Sequence, residues 1–300
     1  MKKHINNIDN KIVFILNPIS GFRNFRRRNI RSKISKAILK ENVNGEIRYS
    51  EYAGHSYEIA KKAVEEGVKN IVVAGGDGSI NEVAKALTNT DVVLGIIPAG
   101  SGNGLAHHLK MPFGINKILK ILHKGNIKQA DILNVNGNYA VSVAGIGFDA
   151  IVAERYSKDK NRGFFSYFQA AITEYFNYKP EKVTIKTDDM EITESIFFMV
   201  LANSNQFGYN FRIAPNADLF DGYIDVVIVK NVPIIAAPLS SIQIFTGHAN
   251  KSLYISSFKT KKLTIIREKE GIINVDGDPY HTEKEINAQV MEAALNIVVP

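Results

Sequence analysis

The sequence predicts a two-domain protein: an N-terminal α/β domain built on a parallel sheet, and a second domain rich in β-strands. Over roughly the first 125 residues, short apolar runs alternate with helix-like segments, as in parallel sheets covered by helices on both faces. Beyond that point strand-like runs follow one another, many separated by Gly, Asn, Asp or Pro turns, which indicates a β-rich domain. We therefore expect domains at 1–127 and 128–300, with an extreme C-terminus that could pack back on the first domain.

The first domain is predicted to contain four strands. Apolar runs or weak alternation predict them over Lys11 to Leu16, Glu46 to Tyr52, Asn70 to Ala74 and Val92 to Ile97. Helical periodicity predicts helices over Asn24 to Leu39, Ser56 to Glu66 and Asn81 to Leu87. The strands are rich in Val, Ile and Leu, which indicates that both faces of the sheet are buried.

The second domain is predicted to be a series of strands interrupted by one helix. The strands are expected over Gln129 to Val135, Tyr139 to Ala144, Lys182 to Thr187, Ile196 to Leu201, Ile224 to Val229, Lys262 to Ile266, Ile272 to Val275 and Leu295 to Val299. The helix is expected over Phe164 to Phe176, and its many aromatic residues favour packing against the strands.

Composition narrows the class of protein. Hydrophobic residues make up 45% and charged residues 22% of the 300 residues, a globular balance. Cysteine is absent, which excludes disulfides, thiolate metal sites and cysteine nucleophiles. No apolar run reaches the ~18 residues of a membrane span, and polar residues follow the basic N-terminus where a signal peptide would be apolar. We therefore expect a cytoplasmic protein.

The net charge of +7 is concentrated in one segment. Its basic residues are Arg23, Arg26, Arg27, Arg28, Arg31, Lys33 and Lys36. Such a cluster suits an anionic membrane surface and also suits a solvated helix face. Because no zinc finger or aromatic nucleic-acid motif accompanies the cluster, we expect no nucleic-acid partner.

A glycine-rich turn follows the third predicted strand and reads Gly75-Gly76-Asp77-Gly78-Ser79. Glycines let the backbone approach a ligand closely, and the N–H groups of a following helix N-terminus bind phosphate oxygens. Asp77 could hold a Mg²⁺ that bridges the phosphates. The alternative is a capping turn, with Asp77 or Ser79 as the cap.

Two more small, polar turns follow strands of the same predicted sheet. Asn17-Pro18-Ile19-Ser20-Gly21 follows the first strand, and Pro98-Ala99-Gly100-Ser101-Gly102-Asn103-Gly104 follows the fourth. Ligands of open α/β sheets bind outside the carboxyl ends of the strands. Three such turns at one edge therefore favour a nucleotide or phosphate site over simple capping.

Other nucleotide-binding classes fit less well. The P-loop pattern Gly-x-x-x-x-Gly-Lys-Ser/Thr is absent, and so is the His-Arg-Asp signature of protein kinases. The run Gly145-Ile146-Gly147-Phe148-Asp149-Ala150 matches the dinucleotide pattern Gly-x-Gly-x-x-Ala. It lies in the β-rich half, without a clear parallel strand or a downstream ribose-binding acid, which disfavours a Rossmann site.

The three turns together resemble the catalytic domain of the diacylglycerol kinase family, which includes bacterial lipid kinases and sphingosine kinases. Further blocks of the second half resemble that family in the same order: Gly145 to Ala150, Ala214-Pro215 with Leu219 to Val226, and Asp276-Gly277-Asp278. The resemblance covers nearly the whole chain. It implies an N-terminal domain related to NAD kinases and phosphofructokinases, a C-terminal β-sandwich, and transfer of phosphate from ATP to a lipid hydroxyl.

The resemblance also implies roles for individual residues. Positions aligned with ATP contacts are Asn17, Ser20, Ser50, Gly75, Gly76, Asp77, Gly78, Ser79, Asn81, Gly100, Ser101 and Asn103. A structural Mg²⁺ is implied at Asp218, Asp221 and Tyr223, partly through backbone carbonyls. ATP and Mg²⁺ are thus the expected cofactors, and a lipid at an anionic membrane surface is the expected partner.

The implied general base departs from the family pattern. Relatives carry a glutamate in Asp-Gly-Glu, whereas this chain reads Asp276-Gly277-Asp278. An aspartate is one methylene shorter, so its reach is about 1.5 Å less, and a base must lie within hydrogen-bond distance of its proton. Asp278 is the first candidate base, with Asp276 or Asp77 as alternatives. The competing interpretation is that this tripeptide is a plain β-turn without a catalytic role.

Two other functions remain open at this stage. An NAD kinase has a related Gly-Gly-Asp-Gly turn, although the Thr-Gly-Ser-Thr-Ala-Tyr-like block of that family is not found here. A nucleotide-binding regulator without catalysis would be favoured only by the shortened acid at Asp278. The sequence leaves open which lipid is used and what the oligomeric state is, a dimer included.

Overall fold

The computed structural model describes residues 11–18, 32–36, 38–39, 44–100, 102–112, 117–118, 120–121, 126–158, 164–205, 212–233, 236, 240, 242–243, 246 and 252–300, with backbone only at 164–168. The chain divides into two compact units. The first contains Met1–Ala130 and Ala293–Pro300, and the second contains Asp131–Glu292. Each unit has its own layered architecture.

The first unit is an α/β domain with a parallel sheet. Its own strands are β1 (Ile12–Leu16), β2 (Gly45–Tyr49), β3 (Asn70–Gly75) and β4 (Val93–Pro98). The helices described over their full length are α1 (His55–Glu65), α2 (Asp77–Leu87) and α3 (Gly104–His108). Further helical residues are described at 32–36, 38–39, 117–118 and 120–121. The strands lie in the order β2-β1-β3-β4, and every pairing among them is parallel. All their carboxyl ends therefore lie at one edge of the sheet.

Apolar burial explains why these segments form these elements. Every residue of β3 is buried, and β1 and β4 are buried from their second residue onward, as expected for a sheet covered on both faces. The apolar stripe of α1, which includes Ile59, Ala60 and Ala63, is buried, and α2 buries Ile80 and Val83. These positions follow the helical repeat of three and four residues.

The second unit is a β-sandwich domain whose described residues also form helices. Its strands are β5 (Asn126–Val135), β6 (Asn138–Ala140), β7 (Val143–Gly147), β8 (Glu181–Lys186), β9 (Glu191–Ala202), β10 (Ile224–Lys230), β11 (Ile255–Thr260), β12 (Lys262–Arg267), β13 (Gly271–Val275), β14 (Asp278–Thr282) and β15 (Glu285–Val299). Its helices are α4 (Phe148–Lys158) and α5 (Phe164–Tyr175). The first residues of β5 and the last of β15 belong to the first unit, where Asn296 and Ile297 pair with β4 in parallel.

The long strand β9 organises the second unit. Its first half pairs antiparallel with β8, and its second half pairs antiparallel with β7 and β10. One apolar cluster contains Met199, Leu201 and Val226, and a separate one contains Val200, Ala202 and Val227. Since neighbouring residues of a strand point to opposite faces, both faces of this part of the sheet are buried.

The structure corrects several predicted boundaries. Helix α2 begins at Asp77 rather than at Asn81, so the glycine turn forms the first turn of the helix. The predicted strand Tyr139 to Ala144 is two strands, β6 and β7, because the intervening N–H groups bind a side chain. Helix α4 and strands β11 and β14 had not been predicted.

Most of the basic segment falls outside the described residues, and so do the five arginines among its basic residues. Lys33 and Lys36 are described, and both are exposed. Within the described part of the chain, no helix is long and apolar enough to cross a membrane.

Candidate active site

Three loops meet at the carboxyl edge of the parallel sheet in the first unit. They follow β1, β3 and β4, and direct hydrogen bonds join them. Asn17 Nδ2 donates to Ser79 Oγ at 2.7 Å, which ties the first loop to the second. The Ala99 N–H donates to the Gly75 carbonyl at 2.8 Å, which ties the third to the second. The described residues of the three turns that the sequence singled out are therefore joined by hydrogen bonds.

The second and third loops touch through two glycines. A Cβ placed on Gly100 would lie 2.4 Å from the Cα of Gly76, and one on Gly76 would lie 3.2 Å from the Cα of Gly100. Carbon atoms in proteins pack at about 3.5–4.0 Å, so a side chain at Gly100 would force the loops apart. Neither glycine has a positive φ. It is this close approach of two backbones that requires glycine at Gly100.

Asp77 fastens the same two loops together. Its Oδ1 accepts a hydrogen bond from the Gly104 N–H at 2.6 Å, so the first residue of α2 caps the N-terminus of α3. The residue keeps part of its surface exposed, but its carboxyl group is enclosed. This burial raises the pKa of Asp77 above its ordinary value, while the N–H groups of Gly104 and Asn103 oppose the rise. Asp77 is thus a cap, as the alternative interpretation expected, but of a neighbouring helix.

Asn103 completes the third loop by folding over Gly100. Its Oδ1 accepts from the Gly100 N–H at 2.9 Å and its Nδ2 donates to the Gly100 carbonyl at 2.8 Å. Asn103 has a φ of 51°, a left-handed conformation that asparagine tolerates better than most residues. Its side chain is buried and occupied by the loop itself, so it shapes the third loop.

Gly78 has no such internal reason to be a glycine. Its φ is not positive, and a Cβ placed on it would meet no atom of the described residues within 4 Å. The residue is exposed at the start of α2. The N–H groups of the first turn of a helix have no partner within the helix and attract anions. Open space therefore lies in front of the part of the loop best suited to a phosphate group.

The remaining residues of the predicted nucleotide site vary in exposure. Ser50, Ser79 and Asn81 are buried in the first unit, and the Ser50 N–H extends the sheet by donating to the Leu16 carbonyl at 3.0 Å. Ser20 and Ser101 lie outside the described residues.

Glu82 is a residue of this region whose role the sequence did not reveal. Its two carboxylate oxygens accept from the N–H groups of Gly54 and Ser56, at 2.8 and 3.0 Å. Helix α1 needs this help, because the residue at its N-cap is Gly54, which has no side chain for capping. The sequence offers only a glycine ahead of the helix and a glutamate after the glycine turn as signals of this contact.

The Asp276-Gly277-Asp278 segment of the second unit is a two-residue hairpin turn between β13 and β14. Val275 pairs with Asp278, and both turn residues have positive φ, 52° and 96°, as type I′ turns require. The Asp276 carboxylate accepts the N–H groups of Val141, Ser142 and Val143 at 2.6, 2.9 and 2.8 Å. Asp278 is exposed at the first position of β14. Of the two acids, Asp276 holds the turn in place through its hydrogen bonds, and Asp278 follows the turn with its side chain exposed.

The residues implied for a structural Mg²⁺ lie in the second unit before β10. Asp221 Oδ1 accepts from the Tyr223 N–H at 3.0 Å, and its Oδ2 lies 2.5 Å from Lys259 Nζ. Lys259 also lies 3.1 Å from Asp225, and one Asp218 oxygen accepts from the Phe220 N–H. The described residues contain no group of three acidic or histidine side chains that could hold a metal. Oxygen ligands suit Mg²⁺, and in this structure the Lys259 ammonium lies against Asp221 and Asp225, so the Mg²⁺ site at these residues stays a prediction.

Comparisons with known proteins agree with this fold. The family model "Diacylglycerol kinase catalytic domain" matches residues 11–135. The family model "YegS C-terminal NAD kinase beta sandwich-like domain" matches residues 142–299. The two matches together cover most of both units.

Individual relatives are similar over most of their length. A protein of Shewanella frigidimarina named "Probable lipid kinase YegS-like" is 28% identical over 273 residues, which cover 88% of this chain and 87% of that protein. A protein of Staphylococcus saprophyticus named "Diacylglycerol kinase" is 26% identical, with 88% and 87% covered. A crystal structure of a diacylglycerol kinase from Bacillus anthracis superposes with a TM-score of 0.72 at 20% identity, with 97% of each chain covered.

Proposed function

The chain belongs to the diacylglycerol kinase-like lipid kinase family, and from that premise we propose that it transfers the γ-phosphoryl group of ATP to a hydroxyl of a membrane lipid. The acceptor is a diacylglycerol-like or sphingoid-like lipid. Relatives of this chain are named lipid kinase and diacylglycerol kinase, and their names motivate this substrate class.

The observation that carries the proposal is the open space in front of Gly78. Glycine is needed at Gly100 by internal packing, but at Gly78 nothing in the described structure requires it. A glycine without an internal reason, in the first turn of α2, is accounted for by a ligand that comes close to the backbone. Phosphate groups are the ligands that a helix N-terminus at the carboxyl edge of a sheet attracts.

Phosphoryl transfer depends mainly on positioning and on neutralisation of charge. In this proposal the N–H groups of the glycine turn bind the phosphates of ATP, and Ser79 and Asn17 border that site. Mg²⁺ bound together with ATP would supply positive charge to the phosphates. Asp77 keeps the second and third loops in register, so its contribution to ATP binding is made through the loops that it joins.

A carboxylate is proposed to receive the proton of the lipid hydroxyl, and Asp278 is the proposed general base. Two features support Asp278 over its neighbour. The Asp276 carboxylate already accepts three backbone N–H groups, whereas Asp278 is exposed at the start of β14. Its side chain is one methylene shorter than the glutamate that the family resemblance implies at this position.

The test is transfer of radiolabelled phosphate from ATP to lipids dispersed in mixed micelles. The panel contains diacylglycerol, a sphingoid base, ceramide and phosphatidylglycerol, with NAD as a soluble acceptor. Label in at least one lipid and none in NAD is the expected result. Label in NAD alone would replace the proposal with an NAD kinase activity, and ATP binding without any transfer would indicate a nucleotide-binding regulator.

Contact with an anionic membrane belongs to the same proposal, because the acceptor lipid lies in a bilayer. The net charge of +7 favours such contact. The assignment of that contact to the segment from Arg23 to Lys36 stays a prediction.

A further inference from the structure

Two hairpins of the second unit have the same turn. The sequences are Asn134-Val135-Asn136-Gly137 between β5 and β6, and Asn274-Val275-Asp276-Gly277 between β13 and β14. In each, the first asparagine accepts the N–H of the glycine with its Oδ1 at 2.8 Å. Both central residues of each turn have positive φ, so the two turns share one geometry.

The second of these turns has an additional attachment in the interior. Asn274 Nδ2 donates to Asp149 Oδ2 at 2.7 Å, and both side chains are buried. The Asn134 side chain, whose Oδ1 accepts the Gly137 N–H, is only partly buried. The turn that carries Asp278 is therefore linked to the first turn of α4, where Asp149 lies.

The Gly145-Ile146-Gly147 run explains how Asp149 reaches this position. A Cβ on Gly145 would lie 1.8 Å from Asp149 Oδ2, so the carboxylate rests against the backbone of β7. Gly147 has a φ of 85° and turns the chain from β7 into α4. Gly145 also pairs directly with Asn274 across the sheet. The Gly145 to Ala150 pattern matches a dinucleotide motif, but in this fold its glycine Gly145 leaves room for the buried Asp149 carboxylate beside Asn274.

The chemistry of this contact fixes the orientation of the Asn274 amide. An ionised carboxylate only accepts hydrogen bonds, whereas an asparagine side chain has one accepting and one donating end. Asp149 therefore selects the NH₂ end of Asn274, which leaves Oδ1 for the Gly277 N–H. Without Asp149, the Asn274 amide could flip and point its NH₂ group at the Gly277 N–H, so that two donors would face each other.

We propose that Asp149 and Asn274 are positioning residues for Asp278: their hydrogen bond orients the amide that holds the Gly277 N–H, and this sets where β14 begins. The inference rests on the proposed function, in which the Asp278 carboxylate accepts the proton of the lipid hydroxyl. A base that is misplaced by about 1 Å can lose roughly 10²-fold in rate. Neither positioning residue needs to touch the lipid or ATP for this effect.

The experiment compares two near-isosteric variants in the lipid kinase assay. Asn274→Leu removes both hydrogen bonds and is expected to lower kcat about 10²-fold, with KM for ATP changed less than about twofold. Asn134→Leu removes the same turn bond from the other hairpin and serves as the matched control, with kcat within about twofold of wild type. A wild-type kcat in Asn274→Leu would overturn the positioning role while the proposed function stands.

A double-mutant cycle separates positioning from general damage. If Asn274 acts through Asp278, then Asn274→Leu should cost less than about threefold in kcat when it is added to Asp278→Asn. An undiminished loss in that background would show that Asn274 acts elsewhere, and would overturn the inference. If no lipid is phosphorylated by the wild type, the proposed function fails and this inference fails with it.

A second pair of variants keeps the test available if Asn274→Leu does not fold. Asn274→Asp keeps an oxygen for the Gly277 N–H but places a second carboxylate against Asp149. Adding Asp149→Asn restores the hydrogen bond with the roles exchanged, because the amide at position 149 now donates and the carboxylate at position 274 accepts. We expect the double variant to recover at least about tenfold of the kcat lost in Asn274→Asp, and no recovery would overturn the inference.

Discussion

The backbones of Gly76 and Gly100 are in direct contact, so that a Cβ on Gly100 would fall 2.4 Å from the Cα of Gly76. This contact joins the loop after β3 to the loop after β4. The Asp77 to Gly104 hydrogen bond of 2.6 Å joins the same loops at a second point. The conformations of the two loops therefore depend on each other, and a substitution that shifts one loop should also shift the other.

Gly100→Ala should separate the two loops. The added methyl group must displace backbone rather than a flexible side chain, and such overpacking typically costs about 1–3 kcal/mol. We expect that loss in the free energy of unfolding, measured with urea, together with a higher KM for ATP because the loops move apart.

Gly78→Ala is the matched control, because its added methyl group would meet no atom of the described residues within 4 Å. Folding stability should stay the same or rise by up to about 1 kcal/mol, as for other glycine to alanine changes in compatible backbone. If a phosphate occupies the open space, ATP binding should weaken by about tenfold or more. Unchanged ATP affinity, measured by calorimetry, would remove Gly78 from the nucleotide site.

Asp77→Ala should remove kinase activity and also lower stability. The Gly104 N–H would lose its acceptor, and an unsatisfied buried N–H costs about 1–3 kcal/mol. Asp77→Asn keeps an oxygen for Gly104, so it should lose less stability than the alanine variant. Thermal unfolding and the lipid assay check the two parts separately. If the alanine variant kept full stability, Asp77 would not be the connection between the loops that the geometry indicates.

The core of the first unit could be predicted from the sequence, because its strands are uniformly apolar and its helices have a clear repeat. Burial of every residue in β3 follows from the run Asn70 to Gly75, and the alternation of strands and helices implies a parallel sheet. The three turns could be predicted to meet at one edge for the same reason. The direct contact between Gly76 and Gly100 could not, because sequence spacing does not determine which loops touch.

Local sequence patterns did not predict the elements whose backbone conformation depends on a side chain distant in the sequence. The split between β6 and β7 depends on the Asp276 carboxylate, which binds N–H groups from more than 130 residues away in the sequence. Helix α4 was missed because its mixed sequence has a weak apolar stripe and follows a glycine pair. The cap that Glu82 gives to α1 was missed because it joins residues of two helices.

Stability should fall in acid partly because of Glu46. Its hydrogen bond to Arg48, assisted by Lys11, lowers the pKa of Glu46 from 4.5 to about 2. A carboxyl group with a lowered folded-state pKa adds stability above its unfolded pKa and loses it as the pH falls. The window is thus pH 4.5 down to about 2. Because the side chain is 40% exposed, the contribution should be on the order of 1 kcal/mol or less.

The comparison that isolates this effect is wild type against Glu46→Gln. The two should differ in urea-induced unfolding at pH 6, and the difference should vanish towards pH 2 as the wild-type carboxyl is protonated. A difference that stays constant from pH 6 to pH 2 would contradict the assignment of this pH dependence to Glu46.

Magnesium should have little effect on the stability of the protein without ATP. Lys259 lies 2.5 Å from Asp221 and 3.1 Å from Asp225, so a magnesium ion would have to compete with an ammonium group that already contacts both carboxylates. The melting temperature in EDTA and in millimolar MgCl₂ should agree within about 1 °C. A melting temperature that rises with the magnesium concentration, as mass action requires for a bound ion, would contradict this expectation and support the predicted metal site at Asp218, Asp221 and Tyr223.

The two acids of the Asp276 turn should respond differently to conversion to asparagine. Asp276→Asn replaces one accepting oxygen by an NH₂ group that faces backbone N–H groups, so it should destabilise the second unit by about 1–3 kcal/mol. Asp278→Asn should leave stability within about 0.5 kcal/mol, since the residue is exposed. Urea-induced unfolding of both variants tests this division of roles.

Catalysis should depend on Asp278 if it is the general base. Asp278→Asn should lower kcat by roughly 10²–10⁴-fold, the usual contribution of general base catalysis, with little change in KM for ATP. Asp278→Glu should keep much of the activity, because it restores the acid that relatives carry. A loose transition state needs little help from a base, so a loss of less than about tenfold would assign Asp278 to positioning of the lipid. Full kcat in the asparagine variants of both Asp276 and Asp278 would leave Asp77 as the remaining candidate base.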